Sequence, residues 1–328
     1  MVGIFCFNRP NFKVMPASVD PSLLQRFGRL EFLARQAVEG FITGLHRSPF
    51  HGFSVEFAEH RLYNPGESTR HIDWKLFGRT DKLFVKRYEE ETNLRCQLVV
   101  DCSGSMWYPG EVDPNGPDMN KLKYAVHSSA ALMELFRRQR DAVGLSLFGE
   151  SLETHIPAKA SNAHLRAIYQ ELESLLDQSN QRRAETGAVE ALHQIAEASP
   201  RRSLVVVFSD LLDRGGDVDE MMAALQHLRH NKHEVVVFHV LDKATEVDFD
   251  FEDRPTIFRD LESGEEVRLH PSEVRKAYTK RMAVLRKELE VRCAQYRVDW
   301  VDVDIAAGVY PVLSAYLAKR AKLRSSRF

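Results

Sequence analysis

The sequence is poor in cysteine and has no long apolar run. Its four cysteines, Cys6, Cys96, Cys102 and Cys293, are far apart and form no C-x-x-C pair. This spacing argues against a disulfide framework or a zinc knuckle and favours a reducing compartment. No run of about eighteen apolar residues occurs, and the first residues are neither basic nor continuously apolar, so we expect no membrane span and no signal peptide. We therefore expect a soluble, cytoplasmic protein.

Neither sign of charge is in excess. The 45 basic and 47 acidic residues give a formal net charge of -2, which exerts no global attraction toward nucleic acid or membranes. No aromatic–basic motif indicates nucleic-acid binding, and the glycine-rich motifs G-x-x-x-x-G-K-[ST] and G-x-G-x-x-G are absent. Residues 319–328 are one-sided, with five basic residues and no acidic one. A solvated helix end and a docking surface for an acidic partner are both open interpretations.

The length and the changes of pattern along the chain predict two domains. At 328 residues with 44% hydrophobic content, the chain can bury a sizeable core. Residues 1–20 are predicted to be irregular, and residues 21–92 to form an N-terminal segment with a helix and β-structure, in which Gly52, Gly66 and Gly78 mark turns. Residues 93–322 form the main predicted domain, with a hairpin insertion near 249–270. Residues 323–328 form a basic tail.

From residue 93 onward, apolar strands alternate with amphipathic helices. The predicted strands of this part are Cys96–Asp101, Ala142–Phe148, Ser203–Asp210, Glu234–Asp242 and Val298–Val303. A further strand, Ser151–Ile156, is expected to return antiparallel beside Ala142–Phe148. This alternation predicts an α/β fold with a doubly wound, largely parallel sheet. In such sheets, ligands collect beyond the carboxyl ends of the strands.

A cluster of oxygen-bearing side chains follows the first of these strands. Asp101, Ser103 and Ser105 occupy alternate positions of one loop, so one carboxylate and two hydroxyls can converge, and Gly104 eases the turn. Asp210 at another strand end and Thr186 on an intervening loop offer two further oxygens. Hard oxygen donors with little formal charge suit Mg²⁺ or Mn²⁺. The sequence therefore predicts a divalent metal site.

Two other interpretations of this cluster stay open. Ser and Asp are ordinary turn and capping residues, so the loop can belong to a structural scaffold with an empty site. A metal-dependent hydrolase or phosphotransferase using Asp101 and Asp210 is the second alternative. It lacks an evident general base, and neither Ser103 nor Ser105 lies in a G-x-S-x-G elbow. We expect Cys102 to be packed, and we expect no enzyme.

The loop resembles the metal-ion-dependent adhesion site of von Willebrand factor A domains. Asp101, Ser103 and Ser105 match the first loop of that site, Thr186 the second and Asp210 the third. Before the second-loop threonine the family often has glycine, whereas this chain has a glutamate. The resemblance implies a von Willebrand factor A-like fold whose metal keeps one coordination position open for an acidic side chain of a protein partner.

A second resemblance concerns residues 53–88. The succession Phe53–Phe57, Arg61–Tyr63, Pro65–Glu67, Arg70–Trp74 and Lys86–Tyr88 resembles the bacterial family catalogued as domain of unknown function fifty-eight. Members are often encoded beside MoxR-type AAA+ ATPases, and the likeness extends from about residue 25 to 322. It implies an adaptor that works with such an ATPase in chaperone-like maturation of a protein complex. Many relatives carry membrane helices before this segment, and this chain is expected to be of the soluble type.

The charged and aromatic residues of this segment allow two interpretations. Buried ion pairs that fix two lobes together are one, and a partner-binding face is the other. The residues concerned are Arg61, Arg70, Asp73, Trp74, Arg79 and Lys86.

Overall fold

The computed structural model describes residues 29–42, 56–63, 72–89, 94–110, 112–113, 116–177, 187–211, 218–261 and 264–325. Residues 1–20, predicted to be irregular, lie outside them. The chain divides into two compact units, a smaller one within residues 50–94 and a larger one that holds the remaining described residues. In chain order the elements are α1 (Arg29–Ile42), β1 (Glu56–Leu62), α2 (Trp74–Thr80), β2 (Phe84–Glu89), β3 (Arg95–Asp101), α3 (Lys121–Arg138), β4 (Ala142–Phe148), β5 (Leu152–Lys159), α4 (Asn162–Asp177), α5 (Ala188–Ala198), β6 (Leu204–Ser209), α6 (Val218–His230), β7 (Glu234–Leu241), β8 (Thr256–Arg259), β9 (Glu266–Leu269), α7 (Pro271–Gln295), β10 (Asp299–Asp304) and α8 (Val309–Ser325).

The larger unit is built on a six-stranded sheet with the order β10-β7-β6-β3-β4-β5. The first five of these strands are parallel to one another, and β5 runs antiparallel to β4. The predicted α/β class, with a largely parallel sheet, is confirmed. The predicted antiparallel return after β4 is confirmed as well.

Helices cover both faces of this sheet, which explains why its central strands are almost continuously apolar. Every residue of β6 is buried. Val99, Val205, Val207, Val235 and Val237 lie on one face and pack in a cluster with residues of α5, α6 and α7. Because side chains alternate along a strand, their sequence neighbours lie on the other face, where α3 packs against β3, β4 and β7.

Helix α1 belongs to the larger unit. The sequence grouped it with residues 21–92, but in the structure it packs on α3. Its buried residues Leu30, Ala34 and Val38 recur every four positions and so form one apolar stripe. The backbone N–H of Leu30 also donates to Glu173 Oε1 on α4 at 3.1 Å. The stripe places α1 over the helical layer of the sheet.

The smaller unit contains an antiparallel pair, β1 and β2, with an irregularity between Phe57 and Glu59. Helix α2 begins where Asp73 Oδ1 accepts the N–H groups of Lys75 and Leu76, as an N-cap residue does. Gly78 lies inside this helix, so the prediction that it marks a turn was wrong. The chain instead leaves the helix at Asp81, whose φ is 54°.

The six charged and aromatic residues of this segment are only partly described. Asp73 caps α2, and the exposed Trp74 ring meets Phe77 edge-on with centroids 6.2 Å apart. Arg79 is exposed. The side chains of Arg61, Arg70 and Lys86 lie outside the part of the chain that the structure describes. The lobe-fixing and partner-binding interpretations therefore both stay predictions.

The predicted insertion near 249–270 contains the hairpin of β8 and β9, which pair antiparallel. Phe249, Phe251 and Phe258 form a small core beside it, and Tyr278 of α7 packs on them. Helix α8 continues to Ser325, beyond the predicted end at 322, so half of the predicted basic tail is helical. Among the described residues, no helix has the length and apolar composition that a membrane crossing requires.

Candidate functional site

The topology of the sheet brings two predicted site residues to one edge. Strand β3 lies between β4 and β6, and the chain passes first to β4 and later returns on the other side to β6. The carboxyl ends of β3 and β6 therefore flank a topological switch point, the usual position of a ligand site in such sheets. Asp101 is the last residue of β3, and Asp210 directly follows β6.

Asp101 is fully buried at this edge. Its Oδ1 accepts the backbone N–H of Ser103 at 2.9 Å, and its Oδ2 accepts the Ser209 hydroxyl at 2.5 Å. Burial and then repulsion from Asp210 raise the pKa of Asp101 to about 7, although the hydrogen bonds from Ser209 and Ser103 act in the opposite direction. The carboxylate thus lies where added positive charge would stabilise its ionised form.

The two serines of the loop are held together by a single helical turn. Residues Gly104–Trp107 form a 3₁₀ helix directly after Ser103, and the hydroxyl oxygens of Ser103 and Ser105 lie 3.1 Å apart. Both serines are buried. The loop is anchored from the neighbouring strand, because the N–H of Cys102 donates to Phe148 O of β4 at 2.7 Å. The two hydroxyls therefore lie together, on a loop whose Ser103 is bonded to the Asp101 carboxylate.

Thr186, the predicted ligand on the second loop, lies outside the described residues. The next residue, Gly187, is held at the carboxyl end of β4, where its N–H donates to Gly149 O at 2.8 Å. A Cβ atom at this position would lie 2.0 Å from Glu150 O, so only glycine allows so close an approach.

The structure adds a lysine that sequence reasoning missed. Lys121 is the first residue of α3, where Asn120 caps the helix, and its side chain is fully buried. Its ammonium group donates to Asp210 Oδ2 at 2.6 Å and to Glu246 Oε1 at 2.7 Å. Glu246 belongs to a π-helical turn, Lys243–Val247, after β7. Its other oxygen accepts the N–H of Asp242 at 2.7 Å.

Within this ion-paired group, opposite charges offset the cost of burial. Burial alone would lower the pKa of Lys121, but Asp210 and Glu246 raise it well above its ordinary value. Burial raises the pKa of Glu246, and Lys121 acts against that rise. Both carboxylates therefore favour the charged form of Lys121, and Asp210, predicted as a metal ligand, is hydrogen-bonded to it. No sequence signal distinguishes this lysine from a solvated one at a helix start.

The donor set fits a hard divalent cation better than zinc. It combines the Asp101 carboxylate, the hydroxyls of Ser103 and Ser105, and the nearby Asp210, all oxygen donors of the kind that Mg²⁺ and Mn²⁺ prefer. In the described parts of the chain, no three His, Cys, Asp or Glu residues come together as a metal-binding group. A cation here would therefore depend on hydroxyls and water as well as on carboxylate.

Comparison with known proteins finds relatives without an assigned function. The chain is 26% identical over 223 residues to the uncharacterized proteins Mb1516 from Mycobacterium bovis and Rv1480 from Mycobacterium tuberculosis. The match covers 68% of this chain and 66% of each relative, so the chain spans just under two thirds of their length.

Two solved structures resemble the fold. One is an aerotolerance-related membrane protein from Bacteroides fragilis, 18% identical, with a TM-score of 0.41 over 70% of this chain and 98% of that one. The other is the conserved hypothetical protein BatB from Bacteroides thetaiotaomicron, 17% identical, with a TM-score of 0.41 over 70% and 99% of the two chains. The family model described as "Protein of unknown function DUF58" matches residues 59–288, and the chain belongs to this family.

Proposed function

We propose that the chain is a cation-dependent protein-binding adaptor that holds Mg²⁺ or Mn²⁺ with Asp101, Ser103 and Ser105. One observation carries the proposal: two buried hydroxyls 3.1 Å apart share a single turn with a buried carboxylate at the switch point of the sheet. Such oxygens are the preferred ligands of these cations. An acidic side chain of a partner would complete the coordination, as the likeness to von Willebrand factor A domains suggests.

In this proposal Asp210 and Lys121 have a supporting role. Asp210 adds negative charge beside Asp101, while its Oδ2 stays bonded to Lys121. It would act on the cation through the local field or through water. Thr186 is proposed as a further ligand because its neighbour Gly187 is held at the same edge of the sheet.

The proposal is one of binding and not of catalysis. The thiol of the loop, Cys102, is buried, and its sulfur lies 3.7 Å from Val100 O, which suits a packed residue better than a nucleophile. The hydroxyls of Ser103 and Ser105 hydrogen-bond each other. This arrangement favours ligation over activation by a base.

We propose that the partner is a MoxR-type AAA+ ATPase or its client protein in the cytoplasm. The chain would act with this partner during maturation of a protein complex. Family membership is the support, because relatives of this kind are often encoded beside such ATPases. Pulling down the purified ATPase with the full chain, with Mg²⁺ and then with a chelator, tests it. Capture that is equal under both conditions would contradict a cation-dependent contact.

The metal claim is tested by thermal unfolding with and without Mg²⁺ or Mn²⁺. Saturation at a hundredfold excess over Kd adds about 2.7 kcal/mol of stability, so the melting temperature should rise. The double variant Ser103→Ala, Ser105→Ala should fold but lose this rise. Asp248→Ala, which removes an exposed carboxylate after β7, is the matched control and should keep it. A wild-type protein that does not respond to either cation would refute the site.

A further inference from the structure

Four turns at the amino-terminal edge of the sheet share an unusual residue choice. Each turn lies two residues before a parallel strand, and each places a basic residue in the left-handed backbone region. The residues, with their φ angles, are Arg140 (59°) before β4, Arg202 (64°) before β6, Lys232 (64°) before β7 and Arg297 (57°) before β10. The fifth parallel strand, β3, begins with Arg95.

The geometry of these turns favours glycine. In three of them the following residue bonds back to the preceding helix: Asp141 N–H to Phe136 O at 3.0 Å, His233 N–H to Leu228 O at 3.3 Å and Val298 N–H to Cys293 O at 2.8 Å. This is the helix-ending motif whose left-handed position is usually Gly or Asn, because a Cβ atom is strained there. The chain has 17 glycines but places a long cation in each of these turns. Attraction between these cations and the negative carboxyl ends of the preceding helices offsets part of that strain. A basic residue could provide the same attraction without occupying the left-handed position.

The topology arranges these cations in a row. In strand order β10, β7, β6, β3, β4 the row is Arg297, Lys232, Arg202, Arg95 and Arg140, and all five residues are exposed. Adjacent strands lie about 4.8 Å apart, so the row is about 19 Å long. Leu204 pairs with Glu234 in the sheet, so Arg202 and Lys232 lie at the same level.

A cavity lies at the middle of the row. Its volume is about 440 Å³, and it is lined by Arg201, Arg202, His230, Asn231 and Lys232. The guanidinium groups of Arg201 and Arg202 offer paired donors that match the two oxygens of a carboxylate. The cavity therefore supplies a recessed position for an acidic side chain within an otherwise exposed row.

The dimensions and the surroundings indicate what the row binds. An extended peptide rises about 3.3 Å per residue, so about six residues span it. Glu234 and Asp299, at the starts of β7 and β10, lie within the row, but both are ion-paired with Arg320, so the row keeps a net positive charge. Among the described residues of the larger unit, Tyr310 is the only exposed large aromatic side chain. It follows the carboxyl end of β10, at the opposite edge of the sheet from these turns, so bases would find no fully exposed ring to stack on.

We propose that this amino-terminal basic row, Arg297, Lys232, Arg202, Arg95 and Arg140, is a docking surface for an extended acidic segment of a partner protein. The row lies at the opposite ends of the strands from Asp101 and Asp210, and it does not depend on a bound cation. It therefore gives the chain a second contact that is separate from the proposed cation site.

The test replaces the four turn residues together by Arg140→Gly, Arg202→Gly, Lys232→Gly and Arg297→Gly. Glycine suits the left-handed turns, so this variant should fold, as circular dichroism would verify. Binding of fluorescein-labelled hexaglutamate is measured by fluorescence anisotropy at low ionic strength with a chelator present. Wild type should bind in a salt-sensitive manner, and the variant should bind about tenfold or more weakly, since several surface ion pairs are lost.

A control variant separates the row from net charge. Replacing the exposed bases Arg268, Lys276, Lys280 and Arg281 by Gln changes the charge equally, and this variant should bind close to wild type. The double variant Ser103→Ala, Ser105→Ala should also bind normally, which keeps this test distinct from that of the cation site.

Three results would overturn the proposal. One is that wild type does not bind hexaglutamate. Another is that the control loses as much affinity as the glycine variant, which would leave only a net-charge effect. The third is that a six-nucleotide thymidine oligomer binds more tightly than the peptide and is lost in the glycine variant, which would make the row a nucleic-acid surface.

Discussion

At the carboxyl edge of the central sheet, Lys121 is buried and bonded to two carboxylates, whereas the five cations of the amino-terminal basic row are exposed and spaced about one per strand. Lys121 at the first edge has two carboxylate partners within 2.7 Å, whereas Lys232 at the second lies in an exposed turn. A buried ion depends on its partners because the protein interior solvates charge poorly. An exposed one is solvated by water, so its value for folding is small. The same residue type therefore serves stability at one edge and is available for binding at the other.

The largest effect on stability is expected for Lys121, the buried member of the pair Lys121 and Lys232. Lys121→Met leaves Asp210 and Glu246 buried without their cation, which should lower the free energy of unfolding by about 3–5 kcal/mol. Lys232→Met, the matched change at the exposed edge, should cost less than about 0.5 kcal/mol. Urea unfolding followed by circular dichroism measures both. Similar losses for the two variants would remove the distinction between the edges.

A second effect concerns His127 on α3, the helix that begins at Lys121. Its partial burial, and then the positive charges of Lys123 and Arg29, lower its pKa to about 4 from 6.5. Because its folded pKa is depressed, the stability it contributes is complete above pH 6.5 and is lost as the pH falls toward 4. The loss at pH 5 should be about 1–2 kcal/mol relative to pH 7.

The matched variant for this effect is His127→Gln, which does not titrate. Chemical denaturation of both proteins at pH 7 and pH 5 isolates the histidine, because every other group titrates in both. An equal pH dependence in the two proteins would show that protonating this side chain carries no cost.

The smallest expected effect is at the exposed edge. Arg297→Gly removes the strain of a left-handed arginine but also an attractive charge at the end of α7, so the two contributions nearly cancel. We expect the free energy of unfolding to change by less than about 0.5 kcal/mol, measured by thermal and urea unfolding. Arg297→Ala keeps the strain and serves as the control. A loss of about 2 kcal/mol or more in the glycine variant would assign this residue to stability.

Much of the larger unit is predictable from the sequence, because local patterns determine it. The apolar runs that end in Asp101 and Ser209 have the composition of strands buried on both faces. Their order along the chain then places Asp101 and Asp210 at one edge through the general topology of parallel sheets. The convergence of Ser103 with Ser105 follows from their spacing in a single loop.

The ion pairs of Lys121 are not predictable in this way. They join residues separated by 89 and 125 positions, and no local pattern signals such a contact. Glu246 lies in a short stretch after β7 whose sequence resembles an ordinary loop. The packing of α1 on α3 is not predictable from the sequence either, since an apolar stripe predicts a helix but does not identify the surface that it covers.

The side edges of the sheet also decide how the molecule can associate. The outer strands are β5 and β10. Pro157 within β5 lacks an N–H donor, and β10 carries Asp299, Asp302 and Asp304 along its length. Both features oppose the addition of a further strand and so protect the protein from polymerising through its sheet. Strand addition by a partner is thereby disfavoured, which leaves the loops and turns at the strand ends and the outer faces of the helices as surfaces for contact.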